Sequence, residues 1–153
     1  MLICTNTLHK VAPAVQQGLG IPLLHIAEVT ADALLARGVT KAALLGTKYT
    51  MEQDFYTATL EARGIEVLTP PAGQREWLNK VIFNELVLGK VTGEAKTGLL
   101  DIIGALAAQG AEGAILGCTE LGMLVSHKDT SLLVLDTAVL HAEKAALLSL
   151  QDG

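Results

Sequence analysis

The sequence predicts an α/β protein built on parallel strands, and three observations support this prediction. Short apolar stretches that suit buried strands alternate with longer amphipathic stretches that suit helices. Two of the apolar stretches end in a Cys-Thr step, at Cys4 and at Cys118, where polar residues begin. Similar patterns follow the two cysteines, which indicates an internal repeat of two related units.

Composition limits the classes of protein to which the chain could belong. Half of the 153 residues are hydrophobic but only 3% are aromatic, so Leu, Ile, Val and Ala should form the core. The net charge is −5 and no basic cluster stands out, which argues against a nucleic-acid partner. No apolar run approaches the roughly 20 residues of a membrane span, and no secretory leader is visible. We therefore expect a cytoplasmic protein with no membrane partner and with free thiols.

The first unit is expected to begin at the strand that carries Cys4. Glycines at positions 18 and 38 are typical stops for the helices that precede them. The polar residues after Cys4 suit a turn and a helix cap. The elements predicted here are a strand over 1–3, a helix over 9–17, a strand over 22–26 and a helix over 28–37.

The remainder of the chain continues the alternation. Residues 47–50 suit a polar turn, and the Pro-Pro-Ala-Gly stretch at 70–73 suits a loop. The predicted strands are 41–46, 65–68, 113–117 and 132–135. The predicted helices are 51–63, 74–89, 93–109 and 137–150, with a short helical turn over 120–125.

The internal repeat predicts two pseudo-symmetric parallel-sheet lobes with a cleft between them. The second unit has a front half, from 41 to 113, whereas the first unit begins directly at its cysteine strand. We therefore expect the first lobe to be incomplete. Residues 1–37, joined by roughly 130–153, would form what is present of the first lobe, and residues 38–129 would form the second. An incomplete lobe should expose a strand edge and an apolar patch, which predicts a homo-oligomer.

The two thiols suit acid–base chemistry at carbon. Cys4 and Cys118 each end a predicted strand and precede a predicted helix, and a helix start favours the thiolate form of cysteine. Two thiols on opposite faces of one carbon could remove a proton and return one on the far side, which inverts a stereocentre without a cofactor. The alternative interpretation is that each cysteine is a small buried apolar residue.

The residues around both cysteines resemble motifs of the aspartate/glutamate racemase superfamily. Residues 4–10 (CTNTLHK) are similar to its first active-site motif, and residues 117–120 (GCTE) are similar to its second. Residues 44–56 (LLGTKYTMEQDFY) resemble the aspartate racemase branch, which includes enzymes specific for L-aspartate or glutamate and others of broad specificity. Glu120 stands where glutamate racemases usually carry His, which also favours the aspartate branch.

The resemblance implies an amino-acid racemase that is independent of pyridoxal phosphate and of any other cofactor. Cys4 and Cys118 would be its acid and base, and an acidic amino acid would be its substrate. The resemblance also implies a Gly-rich strand and turn ahead of the first motif, which these residues do not contain. The alternative is a truncated, non-catalytic relative that binds a small acid or self-associates. The implied substrate-binding residues are Thr5, Asn6, Thr7, Thr47, Lys48, Tyr49, Thr119 and Glu120.

The four histidines leave several interpretations open. His9 either tunes the Cys4 thiolate or lies on the surface of a helix, and His25 is either a core residue or a site residue of an apolar strand. His141 could reach the cleft from the last helix, whereas His127 suits a surface loop. No CxxC or HxxxH spacing accompanies the cysteines and histidines, so no metal site is expected.

Overall fold

The computed structural model describes residues 1–151, and a four-stranded parallel sheet lies at its centre. The strands run in the order β2-β1-β3-β4. β1 pairs with β2 on one side and with β3 on the other, and β4 extends the sheet beyond β3. The strands are β1 (Lys41–Gly46), β2 (Glu66–Leu68), β3 (Gly113–Gly117) and β4 (Leu133–Asp136).

Helices cover both faces of this sheet. The α-helices are α1 (Ala12–Gln17), α2 (Ile26–Leu35), α3 (Lys48–Glu52), α4 (Asp54–Glu61), α5 (Ala72–Asn84), α6 (Gly93–Ala108) and α7 (Thr137–Gln151). Shorter 3₁₀ turns occupy Thr7–Val11, Leu86–Leu88 and Leu121–Met123. No helix of the described residues is both long enough and apolar enough to cross a membrane.

The core divides into two layers because successive side chains of a strand point to opposite faces. Ala43 and Leu45 of β1 face α5 and α6, while Ala42 and Leu44 face α2 and α4. Both faces of β1 are therefore buried, as expected for a parallel strand covered by helices on either side. This arrangement confirms the predicted α/β class with a parallel sheet.

The predicted strand over 22–26 is wrong. Only Leu24 pairs, in a single parallel bridge with Leu2, and helix α2 begins at Ile26. His25 is the N-cap of α2, where its Nδ1 accepts a hydrogen bond from the backbone N–H of Ala27 at 3.2 Å. His25 is therefore a capping residue and not part of a strand, because a side-chain acceptor at this position satisfies one of the exposed N–H groups of the helix.

The predicted helix over 51–63 is two helices. Gln53 has extended backbone angles and separates α3 from α4. The predicted turn over 47–50 contains the N-cap Thr47 and the first residues of α3. The helix predicted over 74–89 begins earlier, at Ala72, and ends at Asn84. A short apolar window does not reveal such breaks, since helical spacing continues across them.

The division into two lobes stays a prediction. β4 lies in the same sheet as β1, while α7 packs against α2. The last two residues of the expected 130–153 segment lie outside the described residues.

Candidate active site

The carboxyl ends of β1 and β3 define the floor of the candidate site. Gly46 and Gly117 are register partners at these ends, so Thr47 and Cys118 leave the sheet side by side. The two backbones approach so closely that a Cβ added at Gly46 would lie 2.9 Å from the carbonyl oxygen of Gly117. Glycine is therefore required here by close backbone packing.

The segment that carries Cys4 lies across these strand ends. Asn6 is buried, and its Nδ2 donates to the hydroxyl of Thr137 at 3.0 Å. The Thr137 hydroxyl in turn donates to the carbonyl of Leu116 at 2.8 Å, at the end of β3. This chain of hydrogen bonds holds the first motif over the strand that leads into Cys118.

A cavity of about 350 Å³ opens between the first motif and the strand ends, within the range typical of small-molecule sites. Cys4 and Cys118 both border it, and both are free thiols, as expected. The cavity brings together most of the residues that the sequence suggested for substrate binding. Its lining comprises Cys4, Thr5, Asn6, Thr7, Thr47, Ile82, Phe83, Val87, Gly117, Cys118, Thr119 and Glu120.

Lys48 and Tyr49 do not line this cavity. They are the first residues of α3 after its N-cap, and this position turns both side chains to the exposed surface. Lys48 Nζ lies 3.4 Å from a carboxylate oxygen of Glu76 on α5. The Lys10 ammonium lies 5.9 Å from the Tyr49 ring centroid, a cation–π distance.

Sequence inspection missed the apolar wall of the cavity. Ile82 and Phe83 come from the end of α5, and Val87 follows in the 3₁₀ turn. Their spacing is that of an ordinary packing helix, so nothing in the sequence distinguished them. Among the described lining residues, Glu120 carries the only ionisable carboxylate and no side chain is cationic.

Cys118 is held as a neutral thiol by its surroundings. Its Sγ lies 2.9 Å from Oε2 of Glu120, and the Thr119 hydroxyl donates to the same oxygen at 2.7 Å. Burial raises the pKa of Cys118 to about 12, and the Glu120 hydrogen bond and negative charge act in the same direction. The expectation that a helix start favours its thiolate is wrong for Cys118, because burial and Glu120 outweigh the three-residue 3₁₀ turn that follows.

The pKa of Glu120 shifts in the opposite direction to that of Cys118. Its partial burial alone would raise its pKa, but the hydrogen bonds from Cys118 and Thr119 outweigh burial and lower it. The proton shared along this contact therefore resides on the sulfur, and Glu120 stays an acceptor-only carboxylate.

Hydroxyl groups and one amide form the polar side of the cavity. The Thr7 hydroxyl lies 3.3 Å from that of Thr47 and 3.4 Å from that of Thr50. The Asn6 side-chain oxygen is buried and has no hydrogen-bond partner among the described residues. A buried acceptor without a partner is costly to the folded state.

Three histidines pack together behind Cys4, and the sequence did not predict this cluster. His9 is 1% exposed, so its interpretation as a surface residue is wrong. Its ring centroid lies 4.6 Å from that of His25 and 5.8 Å from that of His141. Histidines so far apart in the chain leave no local spacing that could have revealed their proximity.

The hydrogen bonds of His9 determine its tautomer. The backbone N–H of Ile26 donates to Nε2 at 3.2 Å, so Nδ1 carries the proton and donates to the carbonyl of Thr5 at 2.8 Å. Burial lowers the pKa of His9 to about 4, and the neighbouring His25 and His141 also lower it. Neutral His9 thus positions the backbone next to Cys4.

His141 and His25 are also engaged with the backbone. His141 Nε2 lies 2.8 Å from the carbonyl of Leu24, and His25 caps α2. His141 Nε2 and His25 Nδ1 are therefore both engaged in hydrogen bonds with the backbone. No group of three or more His, Cys, Asp or Glu residues within 1–151 is arranged to hold a metal ion.

Comparisons with known proteins show which family of sequences this chain resembles. A family model described as Asp/Glu/hydantoin racemase matches residues 1–145. A broad-specificity amino-acid racemase, RacX of Bacillus subtilis, is 27% identical over 136 residues, which are 87% of this chain and 57% of RacX.

Solved structures give the same result. A Yersinia pestis protein provisionally assigned as an Asp/Glu racemase is 46% identical with a TM-score of 0.93, over 97% of this chain and 65% of that protein. An aspartate racemase homologue from Pyrococcus horikoshii is 40% identical with a TM-score of 0.88, over 96% and 65% respectively. The chain thus spans less than two thirds of these relatives. Its matched residues include both Cys-Thr motifs, and it belongs to the Asp/Glu/hydantoin racemase family.

Proposed function

We propose that the protein interconverts the enantiomers of an amino acid without a cofactor, with Cys4 and Cys118 as the acid and base. The observation that carries this proposal is that both thiols, 114 positions apart in the sequence, border one cavity. Membership of a racemase family supports the reaction class.

The chemistry requires two proton transfers at the α-carbon. The thiolate of one cysteine removes the α-proton, and the thiol of the other delivers a proton to the opposite face of the carbon. The product is the other enantiomer, and the net change in the protein is one proton moved between the sulfurs. Proton transfer by a positioned side chain typically contributes about 10²–10⁴-fold. The remaining acceleration must come from preorganised donors near the substrate and from exclusion of water.

The polar residues of the cavity suit an amino-acid substrate. The hydroxyls of Thr5, Thr7 and Thr47 can donate to carboxylates. We propose aspartate or glutamate as the substrate, in keeping with the description of the matching family. The described lining has no cation for a second carboxylate, so these hydroxyls would have to supply that contact.

A second candidate function is binding of a small acid without turnover. The observation that favours it is the exposure of Cys4, since the reaction depends on exclusion of water. The two candidates differ in whether the α-hydrogen exchanges with solvent.

Incubation of each enantiomer of aspartate and glutamate in D₂O tests the proposal. We expect deuterium at the α-carbon and growth of the opposite enantiomer. Cys4→Ser and Cys118→Ser should each abolish racemisation, while each could retain exchange from one enantiomer. Ser131→Ala, a change at an exposed residue outside the cavity, is the control. Racemisation that persists in either cysteine variant would overturn the two-thiol mechanism. Saturable binding without any exchange would favour the second candidate.

A further inference from the structure

The two thiols of the cavity differ in their surroundings. Cys118 is half-buried, and its Sγ lies 2.9 Å from Oε2 of Glu120. Cys4 is exposed, and no carboxylate of the described residues is hydrogen-bonded to it. If the two thiols had the same surroundings, neither would be favoured as the one that carries the proton before reaction. Here their surroundings differ.

The carboxylate of Glu120 is oriented by two donors. Thr119 Oγ1 donates to Oε2 at 2.7 Å, and this same oxygen receives the Cys118 S–H. An ionised carboxylate can only accept hydrogen bonds, so it can hold a thiol in place but repels a thiolate. Residues 118–120 therefore form one hydrogen-bonded unit that stabilises the protonated form of Cys118.

The backbone N–H groups of Thr119 and Glu120 act in the opposite direction and lower the pKa of Cys118, but burial and the Glu120 carboxylate outweigh them. The remaining described lining of the cavity consists of the second thiol, hydroxyls, an amide, a glycine and apolar side chains. On the far side of Cys4, a smaller cavity is bordered by His141, but the Nε2 of this ring is engaged by the carbonyl of Leu24. Among the charged groups of the described lining, Glu120 is thus the one that adds to burial in favouring the protonated form of Cys118.

We propose that Glu120 is a positioning residue that keeps Cys118 protonated, so that Cys118 starts the reaction as the proton donor and Cys4 starts it as the base. This inference rests on the proposed racemase function. In the first half-reaction the Cα–H bond breaks and the S–H bond of Cys4 forms. In the second, the Cys118 S–H bond breaks and a new Cα–H bond forms on the opposite face.

The same geometry explains how the starting state is regained. After one turnover Cys4 carries a proton and Cys118 is a thiolate beside the carboxylate of Glu120. This juxtaposition of two negative charges is unfavourable. Cys118 therefore takes a proton from water and Cys4 releases one, which balances the cycle. Because Glu120 is only partly buried, water can reach this end of the cavity.

Titration of Cys118 tests the inference without any need for catalysis. Cys4→Ser leaves Cys118 as the only cysteine, since the chain contains two. The rate of its alkylation by iodoacetamide, measured against pH in the folded protein, reports its thiolate fraction. Adding Glu120→Gln should lower the apparent pKa of Cys118 by at least about one unit, or accelerate alkylation roughly tenfold at pH 8.

Glu112→Gln is the matched control. Glu112 accepts hydrogen bonds from the backbone of Thr40 and Lys41 at the opposite end of the sheet, so its substitution should leave the Cys118 titration unchanged. An unchanged titration in the Glu120→Gln variant would overturn the proposal.

A second measurement covers the case in which Glu120→Gln does not fold. In Cys4→Ser with Glu120 intact, the infrared S–H stretching band of Cys118 should lie at lower frequency than that of a free thiol. A band at the free-thiol position would contradict the hydrogen bond and with it the proposal.

Kinetics separate this inference from the proposed function. If the protein racemises an amino acid, Glu120→Gln should lower kcat and leave KM within about threefold, since Glu120 acts through Cys118. A raised KM with an unchanged Cys118 titration would instead make Glu120 a substrate contact and overturn the positioning role. If no amino acid is racemised, the proposed function fails, while the titration still decides whether Glu120 controls Cys118.

Discussion

The hydroxyl oxygens of Thr7 and Thr47 lie 3.3 Å apart, although 40 positions separate them in the chain. This contact joins the first cysteine motif to the end of β1. Thr47 is also the N-cap of α3, where its side chain accepts from the N–H of Thr50. One side chain thus begins a helix, borders the cavity and contacts the segment that carries Cys4.

Replacement of Thr47 by Val should affect both stability and ligand binding. Loss of the N-cap should lower the free energy of unfolding by about 1 kcal/mol. Loss of the hydroxyl should weaken binding of an acidic amino acid by roughly 1–3 kcal/mol, the cost of a buried polar group left unpaired. Denaturant unfolding and calorimetric titration with aspartate and glutamate measure the two effects.

Thr92→Val is a matched control for this variant. Thr92 is the N-cap of α6, where it accepts from the N–H of Ala95 at 3.1 Å, and it lies outside the cavity. The Thr92→Val variant should lose about as much free energy of unfolding as Thr47→Val and should bind aspartate and glutamate like the unmodified protein. Equal binding by both variants would show that Thr47 contributes nothing to the ligand site.

Stability should fall on mild acidification because of the histidine cluster. His9 has a pKa of about 4 in the folded protein, whereas an unfolded His titrates near 6.5. Between these values the unfolded chain binds a proton that folded His9 does not, so the free energy of unfolding decreases as the pH falls. Burial also lowers the pKa of His25, which acts in the same direction. We expect a loss of roughly 1–3 kcal/mol between pH 6.5 and 4.5.

Urea unfolding at several pH values measures this loss. His9→Gln should flatten the pH dependence in this window, whereas His127→Gln, at an exposed loop position, should not. Carboxylates such as Asp129, whose pKa the Lys96 hydrogen bond lowers to about 2, contribute mainly below this window. If the free energy of unfolding of the unmodified protein did not change between pH 6.5 and 4.5, this would contradict the conclusion that the clustered histidines are neutral in the folded protein.

A methyl group at Gly46 should destabilise the floor of the site. It would lie 2.9 Å from the carbonyl of Gly117, and that backbone cannot move without disturbing the β1–β3 pairing. Gly46→Ala should cost roughly 1–3 kcal/mol of unfolding free energy. Gly104→Ala, in the middle of α6 with no atom within 4 Å of the added carbon, should instead stabilise by about 0.5–1 kcal/mol. Thermal unfolding of both variants distinguishes close packing from a general effect of glycine replacement.

The exposed apolar residues around the Leu2–Leu24 bridge should promote self-association. Met1, Leu2 and Ile21 are 45%, 41% and 57% exposed and border one groove with Leu148. Ile21→Glu should shift the protein toward monomer in size-exclusion chromatography with light scattering. Leu88→Glu, at a 64% exposed position elsewhere, is the control. A protein that is monomeric at every concentration would contradict this prediction.

Local signals in the sequence predicted some elements much better than others. The bounds of β1 and β3 agree with prediction because these strands are buried apolar runs that end at glycine and polar residues. The break at Gln53 and the cap at His25 depend on single backbone angles and hydrogen bonds, which no periodicity reports.

In the candidate site, too, some features follow from local sequence signals and others depend on side-chain and backbone geometry. The prediction that a Cys-Thr step ends a strand is confirmed at Cys118, which follows β3. It is wrong at Cys4, because the residues before Cys4 form only the single bridge between Leu2 and Leu24. The outward direction of Lys48 and Tyr49 follows from where α3 begins, and the sequence did not predict that start. The effect of Glu120 on Cys118 depends on a side-chain rotamer and could not be read from the spacing of residues alone.

The contact between Asn6 and Thr137 spans 131 positions, and His141 reaches back to Leu24 across 117. During synthesis, the stretch that carries Cys4 therefore leaves the ribosome long before the residues that hold it in place. The paired residues of β1 and β3 all precede α7 in the chain, so these central strands leave the ribosome before it. A nascent chain that stops before Thr137 would therefore contain both thiols and every lining residue of the cavity, but it would lack the Asn6–Thr137 contact that helps to hold the first motif in place.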